Sequence, residues 1–110
     1  MFKLVVFIET STFTKQLPRH LDDDSYAAPQ AFLSVHPEAG DLIRGTGGIR
    51  KIRWAMLGRG KRGGSRVIYY WRTEQDHIYL LTVYAKGVKD DLTAAEREAW
   101  RKAVEAIAYD

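Results

Sequence analysis

Cysteine is absent from this 110-residue chain, which excludes disulfides, thiolate catalysis and cysteine metal sites. Long hydrophobic runs are also absent: the longest, at residues 4–8 and 67–71, have five residues each, whereas a membrane span needs roughly 20. The opening run MFKLVVFIET lacks the charged start and the cleavage site of an export signal. We therefore expect a cytoplasmic protein and, from its length, one domain over residues 1–110.

Acidic residues are absent from one long stretch, residues 42–73. The same stretch holds nine cations: Arg44, Arg50, Lys51, Arg53, Arg59, Lys61, Arg62, Arg66 and Arg72. The rest of the chain has 8 basic and 14 acidic residues, a net charge of −6. Positive charge gathered in this way attracts polyanions, of which nucleic acid is the commonest. The plainer alternative is a basic surface that balances acidic helices elsewhere.

Hydrophobic periodicity and turn residues predict seven main elements. A strand over residues 2–9 is followed by a short helix, capped by the hydroxyls of residues 10–12 and ended near Pro18. A second helix follows Asp22–Asp24, with a kink or a late start expected at Pro29. Strands are predicted over residues 49–56, 66–72 and 77–85, joined by short connections typical of antiparallel hairpins.

The C-terminal segment has the pattern of an amphipathic helix. Thr93 and Glu96 form a capping box, and apolar residues recur at helical spacing from Leu92 to Ile107. The order β-α-α-β-β-β-α predicts an α+β fold in which an antiparallel sheet packs against the N-terminal helices, with the helices on one side.

Because side chains alternate along a strand, the residues of the basic segment can be assigned to the two faces of the predicted sheet. Lys51 and Arg53 share one face of their strand, whereas Ile52 and Trp54 point to the other, which suits a core. In the following strands, the residues expected beside the cations are Arg66, Tyr70, Thr82, Tyr84 and Lys86. Crowded like charges are destabilising, so an anion that normally lies between them would explain the arrangement. Tyr70 and Tyr84 are the aromatics we expect to stack on a base.

The glycine-rich stretches lack the known nucleotide-binding signatures. GRGKRGGS at residues 58–65 fails the P-loop pattern, because Arg62 follows Lys61 where a hydroxyl is required. These glycines and those of residues 45–48 are better suited to positive-φ turns and to close approach of a phosphate chain. Simple tight turns remain the alternative.

Other catalytic constellations are weak. The three histidines lie in unrelated settings, there is no GxSxG motif, and the runs Asp22–Asp24 and Asp90–Asp91 resemble helix N-terminal charges rather than a metal site. We therefore expect no metal and no cofactor.

Two stretches carry a specific resemblance: GDLIRGTGGIRKIRWAMLGRGKRGGSRVIYYW and IYLLTVYAKGVKDDLTAAE. They resemble the RelE/HigB-type toxins of bacterial type II toxin–antitoxin pairs, and the HigB branch in particular. The resemblance implies a RelE-like fold, cleavage of messenger RNA on the ribosome with inhibition of translation, and neutralisation by a cognate helix-turn-helix antitoxin (HigA-like).

The resemblance also implies which residues act. The family's strand cations match Lys51 and Arg53, its next strand opens with an arginine that matches Arg66, and its basic residue after the third strand matches Lys86. Leu92 stands where some relatives place an aromatic residue. Metal-free cleavage by the 2′-OH needs a base, charge on the phosphate and an acid. We assign Lys51 as base, Arg53 and Arg66 as phosphate clamps, and Lys86 as acid.

The remaining predicted RNA contacts are Arg50, Arg59, Lys61, Arg62 and Tyr70 in the basic segment and Tyr84 in the strand that follows it. Two alternatives stay open. In the first alternative to an RNA-cleaving enzyme, the basic face belongs to a non-catalytic module that binds nucleic acid. In the second, it belongs to an interaction protein that binds an acidic peptide.

Overall fold

A computed structural model describes residues 5–19, 23–54, 64–85 and 91–108. The elements are β1 (Val6–Glu9), α1 (Ser11–Gln16), a 3-10 turn (Leu17–Arg19), α2 (Asp23–Val35), β2 (Asp41–Leu42), β3 (Ile49–Trp54), β4 (Ser65–Arg72), β5 (His77–Ala85) and α3 (Ala94–Ala108). The predicted order is confirmed, with the two-residue strand β2 as an addition. α2 runs through Pro29 as one helix, without the late start expected there.

The five strands form one sheet in the order β1-β5-β4-β3-β2. Strands β3, β4 and β5 pair antiparallel as predicted, and the added β2 pairs antiparallel with β3. In contrast, β1 pairs parallel with β5, with Val6 opposite His77. Turn lengths predict the hairpins, but they say nothing about which edge a distant N-terminal strand joins.

Beyond the end of β1, the side chains of Thr10 and Gln16 form the hydrogen bonds with β5 that a longer β1 would have formed. The Thr10 hydroxyl accepts a hydrogen bond from Phe13 N (3.1 Å), which confirms Thr10 as the N-cap, and donates one to the carbonyl of Leu81 (2.7 Å). Further along, Gln16 Oε1 accepts hydrogen bonds from the Val83 amide (3.0 Å) and the Thr82 hydroxyl (2.9 Å). These side chains thus satisfy β5 groups that lie beyond the end of β1.

The N-terminal helices cover one face of the sheet. Phe13 of α1 and Leu33 of α2 are fully buried in a cluster with Trp54, Val67 and Tyr69. The Glu9 carboxylate ties this layer together, because it accepts hydrogen bonds from Thr14 Oγ1 (2.7 Å) and the Tyr26 hydroxyl (2.8 Å).

Helix α3 covers part of the opposite face, which corrects the expectation that all helices lie on one side. Leu92 and Val104, both 3% exposed, belong to a second cluster with Ile49, Ile68 and Leu81. The capping box is confirmed: Thr93 N donates to Glu96 Oε1 (2.8 Å) and Glu96 N donates to Thr93 Oγ1 (3.1 Å). An apolar helix face indicates burial without stating which side of the sheet buries it.

Candidate functional site

The β3–β4–β5 register brings three of the four predicted catalytic residues to one face. Arg53 lies directly opposite Arg66, and Arg66 lies opposite Tyr84 on the next strand. Lys51 is two residues from Arg53 and opposite Ile68, so it points to this face as well. The alternate residues of β3, Ile52 and Trp54, pack in the cluster beneath the N-terminal helices. We call Lys51, Arg53 and Arg66 the cationic face.

The cationic face borders the second core. Ile49 and Ile68 are fully buried beside it in the cluster that includes Leu92 and Val104 of α3. This packing anchors β3 and β4 where the cations project, while Arg53 is exposed and Arg66 is half-buried. An arrangement of this kind suits binding of a phosphate group, because the cations need not be assembled when the anion arrives.

The two predicted stacking aromatics lie on this face but differ in access. Tyr84 is only 6% exposed and belongs to the apolar cluster. Tyr70 is half-buried, with its ring centroid 6.3 Å from that of Tyr79. Tyr70 therefore offers more surface to a base than Tyr84 does.

Lys51 has an acidic partner that the sequence patterns do not reveal. Its Nζ atom lies 3.2 Å from Oδ1 of Asp91, in an ion pair with side chains 25% and 52% exposed. The same oxygen accepts a hydrogen bond from Leu92 N at 3.2 Å. Asp91 was expected only as a helix N-terminal charge. The two residues are 40 positions apart, so only the docking of α3 against β3 brings them together.

Arg50, expected among the RNA contacts, is directed away from the cationic face. Its Nη1 atom donates hydrogen bonds to the carbonyls of Glu38 (2.9 Å) and Gly40 (2.8 Å). In the same loop, the Tyr69 hydroxyl donates to the Pro37 carbonyl (2.7 Å) and accepts from Gly40 N (2.9 Å). Strand alternation places Arg50 on the same face as Ile52, which packs beneath the N-terminal helices, so the sequence already contains the signal for this orientation.

The glycines of residues 45–48 form the predicted positive-φ turn. Gly45 and Gly47 have φ values of 77° and Gly48 has 115°. The buried Thr46 holds the turn, because its hydroxyl donates to the Ile43 carbonyl and accepts from Ile49 N. This turn sets the start of β3 and hence the position of Lys51.

Four predicted residues lie outside the described residues: Lys86, Arg59, Lys61 and Arg62. In the parts of the chain that the structure describes, no group of acidic or histidine side chains is arranged to hold a metal ion. No helix among those same residues is long and apolar enough to cross a membrane.

The sequence matches the family described as the RelE toxin of the RelE/RelB toxin–antitoxin system over residues 10–109.

Three E. coli structures share the fold. A free RelE variant with two arginines replaced by alanine matches with a TM-score of 0.60 and 16% identity, covering 96% of this chain and 99% of that one. The isolated RelE toxin matches with a TM-score of 0.55 and 18% identity, over 94% and 99% of the two chains. A chain of the intact RelBE toxin–antitoxin complex matches with a TM-score of 0.56 and 17% identity, over 74% and 96%. Because the family match spans nearly the whole sequence and the folds agree, this chain belongs to the RelE toxin family.

Proposed function

We propose that the protein is the toxin of a type II toxin–antitoxin pair, a ribosome-dependent endoribonuclease that cuts messenger RNA and inhibits translation. The observation that carries this proposal is the convergence of Lys51, Arg53 and Arg66 on one face of the sheet. Family membership supports the toxin role, and the cationic face supplies groups suited to a phosphodiester.

The proposed reaction is an internal displacement at phosphorus that needs no metal. The ribose 2′-OH attacks the neighbouring phosphorus and gives its proton to the amine of Lys51. The 2′-oxygen–phosphorus bond forms while the bond from phosphorus to the 5′-oxygen breaks. Lys86 donates a proton to that 5′-oxygen, and the products are a 2′,3′-cyclic phosphate and a free 5′-hydroxyl.

The two arginines act on the phosphate itself. Arg53 and Arg66 project from opposed positions of neighbouring strands, where Cβ atoms lie about 4.5–5.5 Å apart. Both guanidinium groups can therefore donate to the non-bridging oxygens, whose negative charge grows in the transition state. The ribosome orients the messenger against this face, and orientation of the reacting groups supplies much of the rate.

The proposed partners are the ribosome with its messenger RNA and a cognate helix-turn-helix antitoxin (HigA-like). A toxin–antitoxin complex is known for the E. coli relative with the same fold. We propose that the antitoxin here neutralises the toxin by keeping RNA from the cationic face. No small-molecule cofactor is needed for the proposed chemistry.

A second candidate is a non-catalytic module that binds nucleic acid through the same cations. Both functions predict RNA binding that weakens as salt rises, because both depend on phosphate neutralisation. Only the enzyme leaves cut messenger with cyclic phosphate ends.

The test is cleavage of messenger RNA in a purified translation system, with 3′ ends analysed chemically. The wild type is expected to produce 2′,3′-cyclic phosphates, and Lys51→Ala is expected to reduce the rate by about 100-fold or more. Lys102→Ala is the matched control, because Lys102 is an exposed lysine on α3. Intact messenger with bound wild-type protein would favour the binding module, and full activity in Lys51→Ala would remove Lys51 from the base role.

A further inference from the structure

The Asp91 carboxylate is a fixed point beside the cationic face. The residue that follows it, Leu92, is 3% exposed in the core beneath α3. The capping box of Thr93 and Glu96 begins the helix immediately afterwards. Because the backbone is anchored by Leu92 and the carboxylate accepts from Leu92 N, Asp91 has little freedom to move.

Lys51 by contrast has a long side chain with four rotatable carbon–carbon bonds. Such a chain loses about 1.5–2 kcal/mol of conformational freedom when it is held in one position. The ion pair of 3.2 Å with Asp91 selects one direction for the ammonium group, along the cationic face and toward the start of α3. At half exposure, the pair contributes little to overall stability. Its main effect is therefore on where the amine lies.

From this geometry we propose that Asp91 is a positioning residue for the cleavage reaction and acts through Lys51. The inference rests on the proposed function. When Lys51 acts as the base, its amine has two N–H donors and one lone pair. If one N–H donates to Asp91, the lone pair is directed to the 2′-OH, in the way that a third group orients the base of a catalytic triad.

The other charged groups near Lys51 make Asp91 distinct. Asp41 lies directly opposite Lys51 in the β2–β3 register, and Arg53 and Arg66 lie along the same face. Among the described residues, the carboxylate that pairs with the Lys51 ammonium is Asp91 rather than Asp41. Asp41 therefore offers a control in which the same negative charge is removed close to the same lysine.

The experiment measures kcat and KM for messenger cleavage on programmed ribosomes. Asp91→Ala is expected to lower kcat about tenfold with KM unchanged or smaller, and Asp91→Glu is expected to recover most of the rate. Asp41→Asn should retain wild-type kcat. Thr93→Ala weakens the α3 terminus without touching the ion pair, so it shows what helix destabilisation alone does to the rate and to Tm.

A double-mutant cycle with Lys51→Ala tests whether Asp91 acts through the lysine. In the Lys51→Ala background, Asp91→Ala is expected to cause less than a twofold further loss. An equal tenfold loss in both backgrounds, a loss matched by Thr93→Ala, or a faster Asp91→Ala enzyme would overturn the proposal. Failure of the wild type to cleave would instead reject the proposed function itself, so the two failures are distinguishable.

Discussion

Arg53 of β3 and Arg66 of β4 lie directly opposite each other on the same face of the sheet. Like charges at opposed strand positions destabilise a sheet, and the effect of such a pair is about 0.2–1 kcal/mol. A phosphate bound between the two guanidinium groups would attract both of them and offset their mutual repulsion. Repulsion between the two arginines therefore acts against the stability of the free protein, and a bound anion would relieve it.

Removing one of these two arginines is expected to increase the stability of the fold and to weaken RNA binding. Arg53→Thr, which keeps a residue suited to a strand, is expected to raise the free energy of unfolding by up to about 1 kcal/mol and to weaken RNA binding. The stability gain should shrink in high salt, where repulsion is screened. Urea unfolding at low and high salt, with RNA titrations, measures both effects. A less stable Arg53→Thr variant at low salt would contradict the prediction.

Gly40 and Tyr69 are too close for a larger residue at position 40. A Cβ atom on Gly40 would lie 2.8 Å from Cε1 and the hydroxyl oxygen of Tyr69, whose side chain is fully buried. Gly40→Ala is therefore expected to cost about 1–3 kcal/mol in unfolding free energy.

Gly47→Ala is the control for Gly40→Ala, because it tests the effect of an added Cβ without a close neighbour. Nothing lies within 4 Å of its Cβ position, so only the backbone strain at φ +77° applies, about 1 kcal/mol. Equal losses in the two variants, measured by urea unfolding, would show that the Gly40 contact with Tyr69 relaxes.

The hydrogen bonds between Gln16 of α1 and strand β5 can be tested by substitution. Its Oε1 atom accepts hydrogen bonds from Val83 N and Thr82 Oγ1. Gln16→Ala leaves these donors without that acceptor, at a cost of about 1–3 kcal/mol. Gln16→Glu keeps an acceptor oxygen and should be closer to wild type. Hydrogen exchange at the Val83 amide is the direct measurement, and unchanged protection in Gln16→Ala would contradict the assignment.

The buried tyrosines predict a loss of stability at alkaline pH. Burial, together with the hydrogen bond to the Glu9 carboxylate, raises the pKa of Tyr26 above its usual value. Burial also raises the pKa of Tyr69. The folded protein thus keeps protons that the unfolded chain releases near pH 10, the ordinary tyrosine pKa. The stabilisation is complete below that pH and declines as pH rises above it.

The free energy of unfolding is measured between pH 8 and 11, at intervals of about half a pH unit. The variant Tyr26→Phe/Tyr69→Phe is expected to lose stability at neutral pH, with a shallower decline above pH 10. A decline as steep as that of the wild type would assign the alkaline effect to other groups.

Much of the architecture was predictable because local rules govern it. Strand alternation places Lys51 and Arg53 together, the short β4–β5 turn requires a hairpin, and Thr93 with Glu96 marks the α3 terminus. The positive φ of Gly47 follows from the same local reasoning. Each of these features depends on residues within a few positions of one another.

The features that were missed involve residues far apart in the chain. Lys51 meets Asp91 across 40 positions, α3 packs on the face opposite the N-terminal helices, and β1 joins the sheet parallel to β5. No local pattern determines which helix docks on which face or which edge accepts a distant strand.

The amino-acid sequence by itself determined the strands and helices, the side-chain alternation that gathers the cations, and the basic segment that favours a polyanion. Only the tertiary structure decided that α3 crosses to the cationic side and that Asp91 pairs with Lys51. The physical reason is that periodicity acts within one element, whereas docking depends on how all the apolar faces are buried at once.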